Sequence, residues 1–138
     1  MHERSLFVML LAFVSLLIAG CSATGSEMMP GQDQVPVPQS GPLAMYPKPT
    51  DGMDALLEGT LTVTDDCVTI AQSDGARFVP VFPAGDASWN EGVLSWRGGE
   101  FGEGDPISVG GGLIAAPLVS AYIPAGCHSF DAFAVSPF

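Results

Sequence analysis

Few residues in this 138-residue chain are equipped for chemistry. There are three cysteines, Cys21, Cys67 and Cys127. Beyond the first twenty residues there is one histidine, His128, lying between Cys127 and Ser129. A nucleophilic enzyme needs a nucleophile and a base within reach of each other. His128, Ser129 and Asp131 are nearly adjacent on what reads as one strand, and strand alternation splays such neighbours to opposite faces. No triad is expected there. Glu100, Glu103 and Asp105 sit in or beside a glycine-rich stretch, Gly98 to Gly104. Their oxygens could hold Ca²⁺, or two of them could flank a glycosidic bond at roughly 5–10 Å. Their spacing matches no EF-hand loop, and the glycines match no phosphate-cradling motif. A solvated turn is the expected reading, with no metal and no cofactor. Trp89 and Phe101, if exposed together on one rim, would make a stacking platform for a sugar ring or a peptide. Trp96 is expected in the core.

The first cysteine has a different context. After Met1-His2-Glu3-Arg4-Ser5 an apolar run extends from Leu6 to Ile18, broken only by Ser15. A bilayer span needs about 20 apolar residues. This run is shorter and fits the h-region of a secretory signal. Small residues Ala19 and Gly20 follow, and then Cys21. The stretch Ile18-Ala19-Gly20-Cys21 resembles the lipobox of bacterial lipoproteins. The resemblance implies that residues 1–20 are removed as a signal peptide and that Cys21 becomes the lipidated first residue, carrying acyl chains such as palmitate. Two or more chains anchor a protein stably where one does not. The implied location is the extracytoplasmic face of the cell membrane or, with Ser22 after the cysteine, the outer membrane.

The remaining cysteines agree with an exported chain. Cys67 and Cys127 are expected to pair, because two cysteines in a small exported domain usually do. Neither a CxxC spacing nor a histidine cluster favours free thiols or metal ligands. The formal net charge of −11 is unchanged by loss of Glu3 and Arg4. It excludes nucleic acid as a natural partner. Such a charge could attract cations, basic peptides or basic surfaces, though solubility alone accounts for it. Beside the membrane, the partner looked for is an envelope protein or a glycan.

From Ser22 to about Asp51 the chain has six prolines and no period of 2 or 3.6. Residues 21–51 read as the lipidated cysteine and a disordered linker, roughly 30 Å long as a coil and about 90 Å as extended polyproline. Met45-Tyr46-Pro47 is the one place in it that could dock on the domain.

Residues 52–138 read as a small β-domain. Leu57, Gly59, Leu61 and Val63 alternate with Glu58, Thr60, Thr62 and Thr64, which is a half-buried strand. After Asp65-Asp66 a second strand runs from Cys67 to Gln72. Ser73-Asp74-Gly75 marks a hairpin turn. A third strand, Arg77 to Phe82, contains Pro80 and is expected at an edge or bulge. Trp89 is expected in a loop. Val93 to Arg97 reads as a fourth strand and Ile107 to Val109 as a fifth. Gly110-Gly111-Gly112 implies a corner or a close backbone approach. Leu113 to Ile123 reads as strand or short helix, and Phe130 to Val135 as a closing strand. The expected fold is all-β, a partly open OB-like or SH3-like barrel of five to seven short strands.

Gly59-Thr60-Leu61, Cys67-Val68-Thr69-Ile70, Val81-Phe82-Pro83, Gly104-Asp105-Pro106-Ile107 and Pro124-Ala125-Gly126-Cys127 together resemble a group of small uncharacterised bacterial lipoprotein domains. The resemblance spans about 70 residues, and its markers are turns and a cysteine pair, so it implies no activity. The chain is therefore expected to be a non-catalytic binding or accessory module. The alternatives are a cell-wall or carbohydrate-acting enzyme and a purely structural subunit of an envelope complex.

Overall fold

A computed structural model describes residues 34–64 and 66–137. Cys21 and Asp65 lie outside them.

Among the described residues, nine strands form two sheets. They are β1 Ala44–Tyr46, β2 Ala55–Thr64, β3 Cys67–Ala71, β4 Arg77–Pro83, β5 Ala87–Asn90, β6 Val93–Trp96, β7 Gly99–Phe101, β8 Pro106–Leu113 and β9 Asp131–Val135. No α-helix occurs among the described residues; a single 3₁₀ turn spans Ala125–Cys127. β2, β3, β4, β9 and β8 pair in that order, and β8 returns to β2, so the ring is closed. All pairs are antiparallel except β4–β9. A five-stranded ring in this order, third strand parallel to fifth, is an OB-type barrel. It is fully closed rather than partly open.

The strand patterns explain two cores. Along β4, Phe78 and Phe82 join the barrel interior with Leu57, Leu61, Val68, Ile70, Val109 and Phe133. Val79 and Val81 point outward, into a second cluster with Ala44, Tyr46, Cys67, Cys127 and Ala134. The chain from Ile114 to Phe130 lies over this outer cluster. That is why the stretch from Val79 to Pro83 is buried throughout instead of alternating.

Pro80 does not put β4 at an edge. β4 has partners on both sides, and its ladder with β3 stops at Phe78, two residues short of the missing donor. β1 then takes up the pairing, Ala44 to Tyr46 against Val81 to Pro83 in parallel. The Pro42 carbonyl accepts from the Val68 N–H at 3.0 Å where β3 and β4 part. This corrects the linker reading, for Leu43 to Tyr46 is buried. On β1's other side Met45 and Tyr122 exchange two backbone bonds, 2.9 and 2.8 Å. The Tyr46 hydroxyl donates to the Val135 carbonyl at 2.7 Å. Ordered, packed chain thus begins before residue 52.

Of the stretch from Leu113 to Ile123, all beyond Leu113 is neither a strand nor a helix. β8 ends at Leu113, and only Tyr122 forms an isolated bridge beyond it. The glycine run lies inside β8. At Gly111 that strand pairs with both β2 and β9. A Cβ on Gly111 would strike the Ala134 carbonyl oxygen and come within 2.7 Å of the Phe133 ring. The close backbone approach expected of this run falls at Gly111, while a Cβ on Gly112 would meet the Met53 side chain.

Candidate functional site

The connection between β4 and β8 is a three-stranded meander, β5-β6-β7, that plugs one end of the barrel. Its two turns, Glu91-Gly92 and Arg97-Gly98, have positive φ at both central residues, 48° and 87° in the first, 48° and 76° in the second. These are primed hairpin turns whose twist matches the flanking strands. Register places Trp89, Leu94 and Phe101 in one row across the meander. Leu94 is fully buried, and its row-mates Trp89 and Phe101 are half-buried against the same core. Trp96 is in the core, edge-on to Phe82 at 5.0 Å. The Arg97 guanidinium lies 5.1 Å from its ring centroid.

This corrects the rim reading of Trp89 and Phe101. Both side chains lie on the core-facing side of the sheet, and no free aromatic platform forms. Trp89 sits in a strand, not a loop. It also borders a groove of about 440 Å³. One wall of the groove is Ala87, Ser88 and Trp89; the other is Pro36, Pro38 and Pro42. Sequence reasoning missed this groove because it placed the prolines in free linker.

The three acidic candidates are not brought together as a site. Glu103 accepts a hydrogen bond from the Val63 N–H through Oε2. Asp105 accepts from the Gly102 N–H at 2.7 Å, closing its own turn. Glu100 lies opposite Ser95 on the β6–β7 ladder. Among the described residues no three His, Cys, Asp or Glu side chains converge as metal ligands. The Glu103 carboxylate thus helps fasten the β7–β8 connection to β2, where the Leu61 N–H donates to the Asp105 carbonyl and the Leu61 carbonyl accepts from the Gly104 N–H, at 2.9 Å each.

Cys67 and Cys127 are joined, with Cα atoms 5.2 Å apart. The cystine pins the Ala125–Cys127 turn to the start of β3. The adjoining His128 is exposed, and its Nε2 donates to the Ile123 carbonyl at 3.2 Å. Ser129 and Asp131 are exposed as well, and neither is bonded to the ring. In barrels of this type the outer face of the second and third strands binds oligonucleotides and oligosaccharides. Here those strands are β3 and β4, and the 114–130 segment covers that face.

Among the described residues, one ionisable group is clearly displaced. Burial raises the Tyr46 hydroxyl above its ordinary value of 10.0, and the negative charge of Asp86 adds to the rise. Asp86 is itself paired with Lys48 at 2.6 Å.

No protein-family model, curated protein or solved structure matches the chain.

Proposed function

We propose that this protein is a lipid-anchored, extracytoplasmic envelope protein whose barrel is a non-catalytic binding module. The allotment of its cysteines carries the reading. The chain has three. Cys67 and Cys127 are spent on a cystine, a bond that persists in oxidising compartments. Cys21 is left, directly after an apolar run and two small residues, where lipidation would take it. The groove beside Trp89 supports binding as the role. The enzyme reading has less behind it, because Glu103 and Asp105 each hold a backbone amide through one oxygen and are exposed.

Replacing Cys21 by alanine tests the anchor. The wild-type protein is expected in the membrane fraction, released by detergent and not by salt. The C21A chain is expected in the soluble extracytoplasmic fraction, or retained as uncleaved precursor. A C21A protein still processed and still membrane-bound would refute the reading.

A further inference from the structure

The groove beside β5 has two unlike walls. β5 is the outer strand of the meander; β6 is its only ladder partner, and beyond that only Ala87 is bridged, in parallel, to Ala84. The two-residue turn at Glu91-Gly92 makes Asn90 and Val93 the pair that exchanges both hydrogen bonds. Antiparallel alternation then makes Trp89 and Leu94 the pair that exchanges none. Leu94 turns its N–H and C=O to Phe101 on β7. Trp89 turns its own outward, to the open edge of β5. Three consecutive residues, Ala87, Ser88 and Trp89, line the groove. Their side chains alternate between faces, so what they share is the strand's edge.

The facing wall runs alongside without pairing. Pro36, Pro38 and Pro42 have no N–H to donate. An occupant must therefore offer a donor and an acceptor on the β5 side and apolar surface on the proline side. An extended peptide does this by adding a strand to a free edge. Charge selects among peptides. Asp86, just before β5, is already paired with Lys48, but exposed Glu91 follows the strand, in a chain of net charge −11. A second copy of this chain would bring the same acids against these and be repelled.

We propose that the slot between β5 and the 36–42 segment binds an extended segment of another envelope protein as an added β-strand, apolar at its centre and basic at the end beside Glu91. This deepens the reading of the barrel as a binding module and does not depend on the lipid. The Trp89 N–H and C=O make the central pair of backbone bonds. Glu91 favours a Lys or Arg at one end.

The test uses the full chain and a synthetic peptide of alternating Val and Thr with Lys at each end. Amide exchange and chemical shifts are read by NMR. The peptide is expected to protect the Trp89 amide, with saturable shifts along β5 and no change in protection at Leu94. A proline at the peptide's centre should abolish the effect. Glu in place of its terminal Lys should weaken it, and Glu91→Gln should weaken the Lys peptide about twofold to fivefold. Any of three results overturns the proposal: no binding, equal binding of the proline peptide, or protection confined to the β7 edge. Shifts at Trp89 produced by a cell-wall glycan fragment and by none of the peptides would also overturn it, assigning the groove to sugar. The anchor is judged separately by the mass at Cys21. Lipid without peptide binding removes the slot, and peptide binding with a bare cysteine removes the anchor.

Discussion

Two adjacent glycines should behave in opposite ways when replaced by alanine. Gly110 and Gly111 are consecutive in β8, and neither has a positive φ. A Cβ on Gly110 meets nothing within 4 Å. One on Gly111 meets the Ala134 carbonyl oxygen and lies 2.7 Å from the Phe133 ring. That neighbour is mainly backbone of β9, held between β8 and β4, so it cannot swing aside as a flexible side chain would. Gly110→Ala should be neutral or stabilise by up to about 1 kcal/mol, because alanine restricts the unfolded chain. Gly111→Ala must open the β8–β9 contact. Overpacking of this kind costs about 1–3 kcal/mol, and the clash with backbone points to the upper end. For a domain near 100 residues that corresponds to a fall in Tm of roughly 10–20 °C. Urea unfolding followed by the fluorescence of buried Trp96, with thermal melts alongside, measures both variants. If Gly111→Ala proves as stable as Gly110→Ala, β8 and β9 do not close the barrel at this residue.

Other consequences follow from the same contacts. Reducing the Cys67–Cys127 bond, or replacing both cysteines by alanine, should destabilise by about 4 kcal/mol for a loop of 60 residues, read as a shift in the urea midpoint. Tyr46→Phe should cost about 1–3 kcal/mol, because it leaves the buried Val135 carbonyl without its donor. Tyr46 has its folded-state pKa raised above 10.0. Its contribution is therefore fully present below pH 10 and is lost as pH rises through the folded value. A pH series of unfolding free energies should show the wild type losing more stability above pH 10 than Tyr46→Phe does.

What could be read in advance depended on how each segment is buried. β2 showed its alternation because one of its faces stays wet. The Ser73-Asp74-Gly75 hairpin was visible because Gly75 needs its positive φ of 89°. β1 was hidden because three residues buried on both faces show no period and lie among prolines. The β5 to β7 hairpins were hidden for a different reason. Glu91 and Arg97 occupy left-handed positions where Asn, Asp or Gly would have signalled a primed turn. The cysteine pair was legible from number and spacing. Its partner surface was not, since the 114–130 segment follows the outer face of the barrel without a regular pattern. Trp89 and Phe101 were recognised as a pair, but only the register shows that both face inward beside Leu94. The groove depends on two segments far apart in sequence, the 36–42 prolines and β5, and no local signal joins them.

Intact mass spectrometry of the native protein, purified from its own membrane, tests the central claim most directly. The account predicts a chain beginning at Cys21, heavier than its residues by the mass of attached acyl groups, and two hydrogens lighter for the Cys67–Cys127 bond. A native chain that retains residues 1–20, or begins elsewhere without lipid, would contradict it.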